Sequence, residues 1–262
     1  MKSLTEIANQ YGTDKGTLGP SLAYGAHNYT DIYEAYLSEY RNNSVNILEI
    51  GIGARGARWN TYIVHGRNKT GGASIKMWAD YFTRGKIFGI DINSASHLDS
   101  DRVRTFVADQ GNRKDMQNFL EETRDTRFDF IFDDGSHRPD QQQISLGLLF
   151  PRLKSKGIYF IEDLENNGLG DSDIIRNNGR HNTDSVYNTK KVLQSFLDTG
   201  EFLEPNLLGD ISYLKEKISA INFHAPLHKV ILLNIFNRFL RRRSMMVQYK
   251  ICTERLCAIR KK

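Results

Sequence analysis

Between residues 46 and 161, short apolar runs alternate with helical patterns, the arrangement expected of a parallel β-sheet whose strands are joined by crossover helices. The strand candidates are NILEIGI (46–52), KIFGIDI (86–92), VRTFVAD (103–109), FDFIFDD (128–134) and GIYFIED (157–163). Ile75, Trp78, Ala79 and Phe82 share one helical face behind Ser74 as a candidate cap, and 141–153 and 186–197 read as further helices. Trp78 is assigned to the core of that face. Two runs near the end, 245–251 and 255–261, lie three residues apart and predict a closing antiparallel hairpin. The stretch 164–185, rich in Asn, Gly and Asp, reads as a long loop. The expected class is therefore α/β, Rossmann-like, with a mostly parallel sheet.

Four of the apolar runs end directly in an acid: Asp91, Asp109, Asp133 and Glu162. Ligands of open α/β sheets bind outside the carboxyl ends of the strands, so these acids are expected along the working edge. After the first run comes Gly51-Ile-Gly53-Ala-Arg-Gly56, which matches the dinucleotide fingerprint GxGxxG. That fingerprint needs a helix at once and an acid roughly 20 residues on. Here the helix begins only after Gly71-Gly72, so 54–70 reads as an insertion that splits the loop. Glu49, Gly51 and Gly53 then form the tight turn against the ligand, and Gly71, Gly72 and Ser74 start the helix. Asp91 is placed to accept hydrogen bonds from two ribose hydroxyls, and Asp109-Gln110 to meet an adenine edge, which points to an adenosine-type ligand.

The densest constellation is Asp133-Asp134-Gly135-Ser136-His137 together with Glu162-Asp163. If the fourth and fifth strands are neighbours, the two groups lie side by side. Packing several carboxylates so closely is costly unless a cation neutralises them, and an all-oxygen set selects hard ions, Mg²⁺ first. His137, on the same turn, is suited to accept a proton. Asp133 is expected on the cofactor side of this turn.

The runs LEIGIG, GGASIKMWADYF, GIDI, ADQ, FDFIFDDGSH and YFIED resemble the magnesium-dependent sugar O-methyltransferases that act on macrolide antibiotics, of the mycinamicin and tylosin (macrocin) type. YGTDKGTLG and HNYTDIYEAYL, within 11–37, are similar to the region before the first strand in those enzymes. The resemblance covers about residues 11–163. It implies a class I methyltransferase fold, S-adenosylmethionine (SAM) as cofactor, Mg²⁺ held by Asp134, Glu162 and Asp163, and His137 as general base. It also implies a sugar-containing acceptor, in a glycoside or polysaccharide precursor, and assembly into a homo-oligomer. The 54–70 insertion, with Arg55, Arg58, Trp59, His65, Arg67 and Lys69, and the stretch 224–243 depart from the pattern.

On this reading residues 1–44 form a helical lid over a SAM-binding domain at 45–262, which carries a basic amphipathic insertion at about 224–243. Thr13, Asp14, Lys15, His27 and Tyr29 are candidates to fold over the cofactor in that lid; packing of Tyr29, Ile32, Tyr33 and Tyr36 on one helix face is the favoured reading of the tyrosines, and for Thr13 to Lys15 neither is preferred. The formal charge of +5 invites a nucleic-acid-binding alternative, and GxGxxG invites a nicotinamide-dependent dehydrogenase. The second leaves the acid cluster unexplained. The first weakens because residues 224–262 hold 10 Lys and Arg against one acid, leaving 26 against 30 in the rest. The basic character is thus local, and two readings of 226–243 stand side by side: contact with an anionic membrane surface or an acidic partner, or a helix packed on the body with a solvated cationic face. No apolar run follows the first residues, so a cytoplasmic location is expected, with that segment peripheral at the inner face of the membrane. The two cysteines, Cys252 and Cys257, complete neither a zinc pattern nor a disulfide framework.

Overall fold

A computed structural model describes residues 1–18, 26–54, 71–164, 174–175, 186–233, 245–251 and 254–262. Five strands, β1 (Asn46–Ile50), β2 (Lys86–Asp91), β3 (Val103–Val107), β4 (Phe128–Asp133) and β5 (Leu153–Ile161), are all parallel. They belong to a seven-stranded sheet of order β3-β2-β1-β4-β5-β11-β8, closed by β8 (Ile218–His224) and β11 (Leu256–Lys261). β11 runs antiparallel to both β5 and β8.

The central strands are buried on both faces, as parallel strands covered by helices must be. Alternate side chains enter two separate cores. In β4 and β5, Ile131, Tyr159 and Ile161 face one core, and Phe130, Phe132, Ile158 and Phe160 the other. Helices α4 (Arg113–Glu122), α5 (Pro139–Leu149), α6 (Thr189–Thr199) and α7 (Ile211–Lys217) contribute to the first core. The second is covered by α1 (Leu4–Tyr11), α2 (Thr30–Leu37) and α3 (Ala73–Tyr81). Trp78 is fully buried there, stacked on Phe132 with ring centroids 4.3 Å apart, and Phe132 stacks on Phe160 at 4.9 Å. The assignment of Trp78 to the core is correct. The same alternation carries Glu49, between Leu48 and Ile50, and Glu162, after Ile161, toward the face covered by the N-terminal helices.

Helix α1 is well delimited: Ser3 and Glu6 form a reciprocal capping box, and Gly12 ends the helix in the left-handed conformation. Ser74 does not cap α3. Gly72 holds that position with φ 73°, and Ser74 lies inside the first turn. The expected 186–197 helix starts later, at Thr189, because Val186–Tyr187 (β7) pairs antiparallel with Ile174–Ile175 (β6) and Asn188 caps the helix.

The C-terminal antiparallel pairing is present with different partners from those expected. β10 (Met245–Ile251) pairs with β9 (Leu227–Leu233) as a separate two-stranded ribbon, while β11 enters the main sheet. A three-residue gap therefore does not join neighbours. The residues of β11 are almost all buried and complete the edge of β5, which is where their apolar surface is satisfied. The basic segment at 224–243 thus begins as strand, not helix; its Arg241, Arg242 and Arg243 lie outside the described residues, as do Gly56 and the charged residues of 55–70. Among the described residues no helix is long and apolar enough to cross a membrane.

Candidate active site

The carboxyl ends of β1 to β4 open onto a cavity of about 520 Å³. Gly51 and Gly53 after β1, Asp91 at the end of β2, Asp109 and Gln110 after β3, and Asp134 to His137 after β4 form its wall, with Gly12, Thr13 and Asp14 closing one side. Ser74 also lines it. The tight turn expected at Gly51 is real: φ is 80°, and a Cβ there would lie 2.1 Å from the Asp134 carbonyl oxygen. Only glycine lets the β1 and β4 turns approach so closely. The split-loop reading also holds. The Gly72 N–H donates to the Ile52 carbonyl at 2.9 Å, and a Cβ on Gly71 would meet the Gly53 carbonyl oxygen at 2.1 Å. The chain therefore leaves at residue 54 and returns beside its point of departure.

Asp91 accepts from the backbone N–H groups of Ala54 and Asn93, each at 3.0 Å. A carboxylate has about four acceptor positions, so it retains capacity toward the cavity. Asp109 is exposed and accepts from the Gly111 N–H at 2.8 Å. Gln110 touches the cavity wall, but its amide is engaged within the protein. Nε2 donates to Asp133 Oδ1 at 2.7 Å, and Oε1 accepts from the Ser136 N–H at 3.0 Å. Asp133 itself is buried beneath the wall, accepting also from Ser145 at 2.6 Å and Tyr159 at 3.0 Å. Burial raises its carboxyl above the usual range against these three donors. Its expected direct place at the cofactor gives way to a supporting one, through Gln110, under the Asp134–His137 turn.

The acid cluster assembles in the turns that follow β4 and β5. His137 Nε2 lies 3.7 Å from Asp163 Oδ2 and 3.9 Å from Asp134 Oδ1. One ligand atom from each of Asp134, His137 and Asp163 falls within 4.8 Å of the others. His137 and Asp163 both have left-handed backbones, with φ 58° and 52°. Such strain in non-glycine residues concentrates at functional sites. His27 Nδ1 also stands 3.7 Å from Asp163 Oδ2, and the Tyr29 hydroxyl donates to the other oxygen, Oδ1, at 2.6 Å. Burial pushes the Asp163 carboxyl up, but His27, His137 and this hydrogen bond outweigh it and hold it below the usual range.

Glu162 points the other way. Its Oε1 accepts from the Tyr33 hydroxyl at 2.6 Å and from Lys15 Nζ at 2.7 Å, while its buried Oε2 accepts no hydrogen bond. Lys15, only 1 % exposed, also contacts Asp134 Oδ2 and lies 3.4 Å from Glu49 Oε1. Burial alone would lower the lysine's pKa; Asp134, Glu162 and Glu49 together hold it well above the ordinary lysine range. Burial pushes Glu49 up to about 7 and raises Glu162 well above its usual value. Glu49 thus sits beneath the cavity, against Lys15.

Sequence reasoning missed Tyr33 as a member of the site, and named Lys15 and Tyr29 only as candidates to cover the cofactor, not as partners of the acids. The tyrosines do pack as expected, both fully buried, but their hydroxyls reach the acid pair. Polar tips on otherwise apolar helix positions were the available signal. Of the expected metal ligands, Asp134 and Asp163 come together with His137, while Glu162 stands outside that group and is linked to Asp134 through Lys15. These donors fit a hard divalent cation.

No family model matches the chain. Over 163 residues, 62% of its length, the chain is 35% identical to the mycinamicin VI 2''-O-methyltransferase of Micromonospora griseorubida, of which that stretch makes up 36%. It is 36% identical over 162 residues to the demethylmacrocin O-methyltransferase of Streptomyces fradiae, again 62% of this chain and 36% of that protein. A tetracenomycin-C rhamnosyl 2'-O-methyltransferase of Streptomyces olivaceus is 33% identical over 162 residues, 62% of this chain and 38% of the relative. The chain thus matches little more than a third of the length of these relatives. The solved structure of the MycE methyltransferase from the mycinamycin pathway, in complex with Mg, SAH and mycinamycin VI, superposes with a TM-score of 0.64 at 24% identity, covering 100% of this chain and 55% of that one. The chain has the class I methyltransferase fold and, over 162–163 residues, is similar in sequence to sugar O-methyltransferases of macrolide and tetracenomycin biosynthesis.

Proposed function

We propose that this protein is a SAM- and Mg²⁺-dependent O-methyltransferase acting on a sugar hydroxyl of a glycoside or polysaccharide precursor. The observation that carries the reading is the convergence of Asp134, His137 and Asp163 within 4.8 Å, where Asp134 and His137 line the same cavity whose far wall holds Asp91 and Asp109. Asp91 receives the ribose hydroxyls, Asp109 and the Gln110 turn flank the adenine, and Gly51, Gly53 and Ser74 let the cofactor lie against backbone. Asp134, Asp163 and Glu162 hold the metal. When bound, SAM supplies the methyl group and Mg²⁺ supplies positive charge that favours the developing alkoxide.

His137 accepts the hydroxyl proton at Nε2, and the Asp134 and Asp163 carboxylates beside it stabilise the imidazolium that forms. With SAM bound, the oxygen that His137 deprotonates would be the one to receive its methyl group. Residues 1–44 act as the lid of the 45–262 domain, with Gly12 to Asp14 shielding the cavity from water. The acceptor is a sugar-containing molecule. The protein works as a homo-oligomer at a cytoplasmic location, and 226–243 contacts an anionic membrane surface or acidic partner.

The test is methyl transfer from SAM to a panel of glycosides, nucleotide sugars and lipid-linked sugars, with EDTA-treated protein titrated with Mg²⁺. Calorimetry against SAM and NAD runs alongside. His137→Ala should keep SAM affinity and lose about 10²–10⁴-fold in turnover. Tight NAD binding without SAM binding, or full activity without a divalent ion, refutes the proposal.

A further inference from the structure

The N-terminal segment delivers a cation into the acid cluster. Lys15 is carried between α1 and α2, where backbone hydrogen bonds lock it in place: His27 N–H to the Asp14 carbonyl at 2.7 Å, Asn28 N–H to the Gly16 carbonyl and Thr30 N–H to the Lys15 carbonyl, both at 3.1 Å. Its ammonium meets carboxylates from three strand ends, Glu49 of β1, Asp134 after β4 and Glu162 after β5. Nothing about strand geometry requires a lysine here. A methionine would fill the same buried volume, and Glu49, Asp134 and Glu162 would remain three uncompensated acids. Buried acids of that kind are strongly unfavourable unless paired.

We propose that Lys15 is a positioning residue, a built-in counter-ion that holds Asp134 and Glu162 in place and shares them with the divalent ion, so that it sets the affinity of the metal site. The inference rests on the metal reading above. Both cations draw on the same two carboxylates, and the ammonium also draws on Glu49. The N-terminal segment thereby moderates how tightly the ion is held and keeps the acids apart when it is absent.

Two substitutions separate this role from a purely structural one. In Lys15→Met the competing charge is gone, and Mn²⁺, titrated by calorimetry and followed by the loss of its free-ion paramagnetic resonance signal, should bind about tenfold tighter or more. In Glu49→Gln the lysine loses one of its three acids and leans more fully on Asp134 and Glu162, so Mn²⁺ should bind more weakly. A merely structural lysine predicts the same sign for both, because a loosened site weakens binding in each. The thermal midpoint gives a second readout: Lys15→Met should fall well below wild type in EDTA and be raised by saturating Mn²⁺ more than wild type is, since the tighter-bound ion stabilises the folded state more. A wild-type protein that binds no Mn²⁺ overturns the metal reading and this inference with it. Wild-type binding together with unchanged or weaker binding in Lys15→Met overturns this inference alone.

Discussion

Replacing Gly51 by alanine probes the turn on which the cavity depends. The Gly51 N–H donates to the Ile90 carbonyl at 2.8 Å and the Asp134 N–H donates to the Ile50 carbonyl at 3.0 Å, so this turn ties β1 to both neighbouring strands. A side chain at φ 80° costs about 1–2 kcal/mol from the left-handed backbone alone. The new Cβ would also stand 2.1 Å from the Asp134 carbonyl oxygen and 2.5 Å from the Gly135 Cα, both backbone atoms that no rotamer change can move. Overpacking of this kind adds about 1–3 kcal/mol. The sum, about 2–5 kcal/mol, corresponds to a fall of roughly 6–15 °C in melting temperature for a chain of this size. Because the backbone that must move belongs to the Asp134–His137 turn, SAM and Mg²⁺ affinity should weaken together. Gly53→Ala is the control: φ is 65°, but nothing lies within 4 Å of the added Cβ, so only the conformational cost of about 1–2 kcal/mol applies. Thermal unfolding of both variants, with SAM calorimetry, measures the difference. Equal melting temperatures, or wild-type behaviour of Gly51→Ala, would refute the close approach of the two turns.

Two further outcomes are expected. Asp133→Asn places an amide donor against at least one of Gln110, Ser145 and Tyr159. One buried group left unsatisfied costs about 1–3 kcal/mol, so unfolding should shift down and SAM binding should weaken as the Gln110 link to Ser136 is disturbed; unchanged SAM affinity would deny Asp133 its supporting role. The metal-free protein should lose stability with rising pH. Burial raises Glu49 from 4.5 in the unfolded chain to about 7, so the folded state binds the extra proton, and its contribution is complete below pH 4.5, lost as pH rises through 7 and flat above. Melting measured in EDTA between pH 5 and 8 should show this decline, and Glu49→Gln should diminish it.

The parallel order of β1 to β5 and the site at their carboxyl ends were legible because each rests on local chemistry. Two-sided burial makes near-continuous apolar runs, and the acids that end them are followed by polar residues, except Asp91, whose neighbour Ile92 is exposed. The 54–70 excursion was legible from the distance between Gly53 and the next helix start. The C-terminal pairing was not. Nearness in sequence suggested joining 245–251 to 255–261, whereas β11 finds its hydrogen-bond partners in β5 and β8, nearly 100 and about 40 residues earlier. The helix cap was misread at Ser74 for a related reason, since the left-handed Gly72 takes the position that a serine side chain would otherwise serve.

The sequence by itself determined the class of fold, the sheet edge that bears the candidate site and the identity of the acids there, since these follow from periodicity and residue type along contiguous stretches. Only the tertiary structure decided how the acids divide. Asp163 turns toward His137, His27 and Tyr29, Glu162 toward Tyr33 and Lys15, and Asp133 sinks beneath the wall to hold Gln110. The physical reason is that a carboxylate's role is set by the charges and donors that meet it. Of those that meet Glu162 and Asp163, Lys15, His27, Tyr29 and Tyr33 come from about 130 or more positions away in the chain, and His137 from the neighbouring strand end.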